Sequence, residues 1–366
     1  MEKKICSKQM FSLIVLCVLG SSIIFFLNPE AEQNAWIGVL MCIIPALIFQ
    51  STYIYLWQNH KDDSIIQYMP KIWGKFLGSI FSFFYLTFFI YTASRVLRNL
   101  SVLIITSSMP RMPIFLICMI LMFVCWYGVY LGIENISRLM YVFLFAWISF
   151  FAFEWIFFII PPNQIEPKHM FPILENGIVP VIKKSLSVIA FPFGENIIST
   201  MLFPLVSDQK KLKKYALSAV IVQGILISLS TLLCILVLGL KFSISALFPF
   251  LQTLRVLKVT EYFDRLDIFA IIIVVIVSFT KVSVFCYGAV KGTAQLFKIK
   301  NSKWLSIPIS ILILIISRLM ASNFPQHIHI HIDIFIKYLN VPLTIILPLL
   351  TIILFNLKKL KKENKS

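Results

Sequence analysis

The sequence predicts an all-α integral membrane protein with ten transmembrane helices, and three observations carry that prediction. Of the 366 residues, 59% are hydrophobic, and the mean hydropathy is +0.90. Only 13% are charged, about half of the roughly 25% found in soluble domains. Apolar runs of about 20 residues, the length of helix that crosses a bilayer, recur along the chain. A globule of this size cannot bury so much apolar surface, which excludes a soluble enzyme, a disordered chain and a coiled coil.

Each apolar run is interpreted as one span, and the runs leave no room for a separate soluble domain. We therefore predict a single transmembrane domain over residues 1–366. The ten runs cover residues 9–27, 35–57, 76–94, 112–132, 139–160, 185–206, 215–240, 268–290, 304–320 and 338–357.

The charges predict how the spans are oriented. Lys and Arg number 33 against 16 Asp and Glu, for a net charge of +17. With both termini placed in the cytoplasm, the inner segments hold 20 of the basic residues and the outer segments 12, with Arg95 and Arg98 among the outer ones. This bias follows the positive-inside rule. It also indicates that the partner of these basic residues is anionic lipid, not nucleic acid. The tail at 358–366 is predicted to be cytoplasmic.

Several loops carry patterns of their own. Residues 62–75 and 291–303 read as amphipathic helices on the inner face, with a plain solvated loop as the alternative for each. In the outer loop, residues 241–267 suggest a short helix over the external mouth. His327, His329 and His331 alternate in what reads as an ordinary exposed outer loop.

Three charged residues fall inside predicted spans, where a charge facing lipid is costly. Glu154 is predicted to hydrogen-bond between helices, with a proton or ligand role as the alternative. Lys281 is interpreted as a fixed charge or a proton-coupled switch at a ligand site. The alternative for Lys281 is a structural salt bridge, for which Glu195 is the candidate partner.

Two spans carry residues that interrupt helices. In span 6 the run Phe191-Pro192-Phe193-Gly194 precedes Glu195, and Pro removes a backbone donor while Gly weakens a helix. In span 1 the corresponding place is residues 19–22 (LGSS). Breaks at matching places in two five-helix halves indicate an inverted-repeat site, where bare backbone groups line a cavity. The alternative is that Gly20 only packs closely and that span 6 is only kinked.

The chain also resembles a known family, the membrane-embedded B subunit of bacterial spore germinant receptors. That family is a branch of the amino acid–polyamine–organocation transporter superfamily. The resemblance runs through nearly the whole chain, and the order and spacing of the motifs make it specific. The motifs are NAWI at 34–37, GIENISR at 132–138, LENGIVP at 174–180, FGE at 193–195 and FDRLD at 263–267.

The resemblance implies a five-plus-five inverted repeat (LeuT-like) with discontinuous helices 1 and 6. The first repeat would cover about 9–160 and the second about 185–357. It also implies a ligand pocket between helices 1, 3, 6 and 8. By position, the pocket residues are Gly20, Ser21 and Ser22 in span 1, Thr92 in span 3, Phe191, Pro192, Phe193, Gly194 and Glu195 in span 6, and Thr280 and Lys281 in span 8.

The function expected from the resemblance is that of a nutrient germinant receptor subunit in the inner membrane of the spore. It would bind a small germinant such as an amino acid and act with a membrane A subunit and a lipoprotein C subunit. A proton-coupled amino acid transporter is the rival, and an ion-conducting channel subunit is a third alternative. We predict no enzymatic activity, no cofactor and no metal, because the P-loop, HExxH and GxSxG patterns are missing from the sequence.

Overall fold

The computed structural model describes residues 5–160, 164–256 and 266–363. Within these ranges the regular structure is helical, apart from one isolated bridge between Ile5 and Val206. Short 3₁₀ segments and a π-helical stretch connect or extend the α-helices. The α-helices are α1 (Ser7–Ser22), α2 (Ala35–Gln58), α3 (Ile65–Trp73), α4 (Lys75–Ser107), α5 (Ile114–Leu131), α6 (Ile133–Ile159), α7 (Ile178–Lys184), α8 (Leu186–Ala190), α9 (Gln209–Leu238), α10 (Leu240–Ser245), α11 (Pro249–Val256), α12 (Leu266–Leu296), α13 (Ser306–Leu319), α14 (Phe324–His329) and α15 (Leu347–Glu363).

Among the described residues, seven helices are long and apolar enough to cross a bilayer. They fall in predicted spans 2, 3, 4, 5, 7, 8 and 10. Three shorter apolar helices, at Ser7–Ser22, Leu186–Met201 and Ser306–Leu319, fall in spans 1, 6 and 9. A multi-pass, all-helical membrane protein is thus confirmed, while ten crossings and the inverted repeat stay predictions. At the centre, α1 packs against α12, α9 and α6, and α12 also packs against α4.

Helix α4 is longer than the predicted third span, and this corrects the placement of two arginines. Arg95 and Arg98 lie in the buried part of the helix, not in an outer loop. Arg98 donates to the carbonyls of Ser317 and Arg318, at 3.0 and 3.1 Å, and so satisfies the end of α13. Without these two arginines, the predicted outer segments hold ten basic residues.

The prediction of an exposed loop at His327, His329 and His331 is also wrong. Residues 324–363 form one continuous helical stretch, π-helical over Ile330–Asn340 and Pro342–Ile346. Asn323 caps its start by accepting from the Gln326 amide at 2.9 Å. His327 and His331 are buried in the protein, while His329 is exposed.

The loop predictions hold in part. The segment at 62–75 is helical over Ile65–Trp73 as α3, which begins with a Ser64–Gln67 capping box. Its apolar side is buried against α4, so the predicted packing of this side on the membrane surface is wrong. The segment at 291–303 is helical only as far as Leu296, where α12 ends. The outer loop contains α10 and α11. Residues 257–265, and with them most of the FDRLD motif, lie outside the described residues.

The first and sixth spans are tied together at the face where α1 begins, which we call the inner face after the predicted topology. The Ile5 amide donates to the Leu205 carbonyl at 3.0 Å, and the Ser207 amide donates to the Ile5 carbonyl at 2.9 Å. These two bonds form a strap of extended backbone. The strap joins the start of α1 to the end of the sixth span.

Candidate functional site

The sixth span is broken in the structure, as its sequence predicts. Helix α8 ends at Ala190, and Phe191 has extended backbone angles of φ −131° and ψ 118°. The chain then continues as a 3₁₀ segment, Phe193–Met201, in which every residue is buried. Pro192 cannot donate a backbone hydrogen bond, which explains why the α-helix ends here. Glu195 lies in the first turn after this break.

The first span ends early but does not unwind at Gly20. Helix α1 is continuous through residues 19–22 and ends at Ser22, so the predicted break at 19–22 is wrong. Gly20 instead permits a close approach to α12, where Ser278 Oγ donates to the Gly20 carbonyl at 2.6 Å. A Cβ added at Gly20 would lie 2.7 Å from the Val277 carbonyl oxygen. The close-packing alternative therefore describes Gly20, and it brings Ser21 next to α12.

Gly20→Ala is expected to lower stability by about 1–3 kcal/mol, because the new methyl meets rigid backbone and forces α1 and α12 apart. Thermal unfolding of the purified protein measures the effect. Gly128→Ala is the matched control, since the nearest atoms to its Cβ belong to side chains and the closest is the tip of the Phe279 ring, at 3.3 Å. Equal losses from the two variants would contradict the close-packing interpretation.

A buried ion triad occupies the break in span 6. Arg95 Nη2 of α4 contacts Glu195 Oε1 at 2.9 Å, and Lys281 Nζ of α12 contacts Glu195 Oε2. The exposed fraction of each side chain is 1% or less. The salt bridge considered as the alternative for Lys281 is therefore present. The Glu195 carboxylate also has a second cationic partner, Arg95, which the sequence predicts to lie in an outer segment.

Neighbouring groups complete the site. Lys281 Nζ donates to Ser21 Oγ at 2.6 Å, which connects the triad to the end of α1. The Phe191 ring lies beside both cations, with its centroid 4.9 Å from Arg95 Cζ and 5.7 Å from Lys281 Nζ. Cations are attracted to aromatic faces at such distances. His331 packs edge-on against Phe191, with ring centroids 4.7 Å apart.

The triad carries more positive than negative charge. Two cations share one carboxylate, which leaves a net charge of +1 in a buried place. Arg95 Nε, Thr92 Oγ1 and the Tyr91 hydroxyl, which fall on one face of α4, have no hydrogen-bond partner among the residues described. Buried donors and charges normally have partners. The site can therefore accept an additional negative group.

The other predicted site residues divide into two groups. Gly194 belongs to the break itself, where its missing side chain makes room for Thr344, whose Oγ1 would lie 2.4 Å from a Cβ. Thr280 and Ser22 lie near the triad in sequence but bond elsewhere. Thr280 Oγ1 contacts Met140 of α6 and donates to the Ile276 carbonyl, and Ser22 donates to the Val18 carbonyl.

Sequence reasoning missed Arg95 and His331. A span of about 20 residues predicts Arg95 to lie in an outer loop, although apolar residues continue beyond it to Ile105. The spacing of two residues between His327, His329 and His331 predicts an exposed loop. The spacing that mattered is four, since His327, His331 and Phe335 form one buried stripe of a helix.

Glu154 differs from Glu195 in having no hydrogen-bond partner among the described residues. It lies near the end of α6 with an exposed fraction of 1%. Neither of its carboxylate oxygens has a hydrogen-bond partner within the described ranges, so the predicted interhelical hydrogen bond is not found. A buried acid without a partner lowers stability by the cost of its desolvation.

Glu154→Met is therefore expected to raise stability by about 1–3 kcal/mol, because it removes the unsatisfied group and keeps the side-chain volume. The unfolding temperature of the purified protein is the measurement. Glu195→Met is the matched control, because Glu195 is equally buried but has two cationic partners, and it should lower stability. A loss of stability in Glu154→Met would contradict the prediction.

Comparison with known proteins identifies the family. A family model described as spore germination protein matches residues 4–325. The chain belongs to the spore germination protein family. Spore germination protein KB of Bacillus subtilis (strain 168) is 34% identical, over 99% of this chain and 98% of its own length. From the same organism, spore germination protein A2 is 26% identical over 80% of this chain and 81% of its own length, and spore germination protein YndE is 24% identical over 81% and 82%.

These matches confirm the resemblance that the sequence motifs indicate, and with it a role in spore germination. They cover nearly the whole chain, as the distribution of the motifs predicts. The family is described by a role in germination and not by a catalytic activity. The permease character of the family agrees with the multi-pass helical structure.

Proposed function

We propose that the chain is the membrane-embedded subunit of a nutrient germinant receptor. In this proposal it binds a small zwitterion, such as an amino acid, beside Glu195 and thereby triggers germination. The observation that carries the proposal is the ion triad at the break of the sixth span, where Glu195 lies between Arg95 and Lys281.

A zwitterion is the ligand that suits such a triad best. Removing one partner of a buried ion pair leaves an uncompensated charge, which costs about 3–5 kcal/mol. A ligand with both charges avoids this cost, because its carboxylate can pair with Arg95 or Lys281 while its ammonium pairs with Glu195. A purely cationic ligand adds a third positive charge to the site. A purely anionic ligand can pair with Arg95 or Lys281, but it lacks the ammonium that would replace the contact this cation gives up with Glu195.

Ligand binding would change how four elements are joined. In the closed arrangement the triad holds α4, α12 and the segment Phe193–Met201 together, and Ser21 adds the end of α1. A ligand that takes over one ion pair shifts the balance between closed and open arrangements by its differential affinity for them.

The setting of this event is also part of the proposal. The receptor would lie in the inner membrane of the spore with both termini cytoplasmic, including the basic tail at 358–366. Its single domain would contain two repeats, about 9–160 and about 185–357. A membrane A subunit and a lipoprotein C subunit would receive the movement and carry it onward.

Binding of three related compounds tests the proposal. Deleting the gene should remove the response of spores to one amino acid, which identifies the compound to use. Purified protein in vesicles should bind that amino acid at least about a hundredfold more tightly than the amine lacking its carboxylate, and more tightly than the acid lacking its amino group. Equal binding of all three would contradict a site that recognises both charges.

A proton-coupled amino acid transporter is the second candidate, because buried charges at a broken helix also serve transporters. Uptake by the same vesicles under an imposed pH gradient separates the two functions. Binding without uptake, together with loss of germination on deletion, supports the receptor. Coupled uptake by the chain without partners supports the transporter.

A further inference from the structure

A second region with the properties of a binding site lies at the inner face, away from the triad. A cavity of about 440 Å³ is bounded by the turn between α5 and α6, the last turns of α12 and the segment that leads into α13. Gly132, with a φ of +100°, allows the α5–α6 turn, and Tyr287 lines the cavity from α12. The spore germination role described above does not use this cavity.

The cavity is strongly basic. Lys291, Lys300 and Lys303 line it, and Glu134 faces them while pairing with Arg138. These five side chains carry a net charge of +3. Glu134 Oε2 is buried and has no hydrogen-bond partner among the residues described. The cavity therefore offers cations for a phosphate and one acceptor for a hydroxyl group.

The surroundings place the cavity at the membrane interface. Trp304, the neighbour of Lys303 in the chain, is 71% exposed. Tyr130, whose ring centroid lies 5.5 Å from Lys303 Nζ, is 43% exposed. Trp and Tyr concentrate where acyl chains meet headgroups. The apolar side chains of Phe123 and Ile311 lie exposed on α5 and α13, the helices beside the cavity. A ligand with a charged head and an apolar tail can follow this surface.

We propose that the cavity binds the headgroup of an anionic phospholipid that carries hydroxyl groups, of which phosphatidylglycerol is the simplest. Its phosphate lies between Lys300 and Lys303, a headgroup hydroxyl donates to Glu134 Oε2, and its acyl chains lie on the exposed apolar side chains of α5 and α13. The positive charge of the cavity favours an anion, and the adjoining apolar surface favours a lipid over an acidic peptide.

Such a lipid would act on the arrangement of the helices. It would join the inner part of α12 to the α5–α6 turn, and Lys281 of the triad lies ten residues, or about 15 Å, from the cavity residue Lys291 in the same helix. Lipid binding would thus stabilise the closed packing of α12. This effect does not depend on which germinant the triad binds.

The test compares lipid binding by the full chain and two variants. Wild type in detergent should bind phosphatidylglycerol and show a higher unfolding temperature with it, while phosphatidylcholine has no such effect. Lys300→Gln/Lys303→Gln should bind phosphatidylglycerol about thirtyfold more weakly. The matched control is Lys359→Gln/Lys361→Gln, which removes the same charge from exposed lysines of α15. Lys359 and Lys361 lie at the inner face, as the cavity does, because the neighbouring Lys358 donates to the carbonyl of Ile72 in α3.

The outcomes are distinct. Unchanged binding in the control supports a specific site, provided that the lipid-free unfolding temperatures of all variants match. An equal loss in the control would mean nonspecific charge attraction and overturn the proposal. An equal rise in the unfolding temperature with phosphatidylcholine, or with soluble glycerol phosphate at the same concentration, would also overturn the proposal. Wild type should also prefer phosphatidylglycerol to phosphatidic acid, which has no headgroup hydroxyl, and Glu134→Ala should abolish that preference.

Discussion

Glu195→Gln is expected to destabilise the protein by about 3–5 kcal/mol or to prevent its accumulation. The variant leaves Arg95 and Lys281 close together without the carboxylate that both contact. Two buried cations without a counter-charge repel each other, and neither regains hydration. Thermal unfolding in detergent and the amount of protein in membranes measure the effect.

Lys281→Met provides the comparison. It leaves the Arg95–Glu195 pair, which is neutral overall, so it should cost less than Glu195→Gln. The double variant Glu195→Gln/Lys281→Met has one unpaired cation instead of two and should be more stable than Glu195→Gln alone. Such non-additivity is the mark of residues that act as one network. Additive losses, or a larger loss from Lys281→Met, would contradict the triad.

The second large effect concerns function. Lys281→Met should abolish nutrient-triggered germination while the protein level stays near normal. Lys281 contacts both Ser21 of α1 and Glu195 beyond the break, so it is the side chain through which α12 joins these two elements. Without this connection, rearrangement at the ligand site does not reach α12. Spores that carry the variant as their only copy, tested over a range of germinant concentrations, give the measurement.

Thr280→Val is the matched control for this prediction. Thr280 is the adjacent residue, is equally buried, and directs its hydroxyl to Met140 of α6 and not to the triad. Its replacement should leave the germinant response within about twofold of wild type, since it changes neither charge nor volume at the triad. A normal response of Lys281→Met at unchanged germinant concentrations would exclude the coupling role of Lys281.

The sequence predicts the helical spans well because lipid makes hydrophobicity a direct signal. It also predicts the break in span 6, since Pro192 acts on its own backbone whatever surrounds it. The pairing of Glu195 with Lys281 could be considered as one alternative. No local pattern could establish it, because these residues are 86 positions apart in the chain.

The remaining features depend on tertiary contacts. A rule based on bilayer thickness ends a helix where the membrane ends, but α4 continues to Ser107 because Arg95 and Arg98 find partners inside the protein. Gly20 reads equally well as a break or as a packing site, and only the position of Val277 decides between them. The sequence shows that Glu154 is unusual for a membrane span. That it has no hydrogen-bond partner among the described residues depends on which side chains pack around it, which the sequence does not show.

The backbone strap at the inner face has a practical consequence for labelling. Ile5 is bonded through its own main chain to residues 205 and 207, and Ser7 Oγ bonds the Asp208 carbonyl at 2.8 Å. A fluorescent protein or affinity tag fused ahead of Ile5 would press on these bonds and disturb the molecule it is meant to report on. Reporters are better attached after α15, in which Lys359 and Lys361 are exposed.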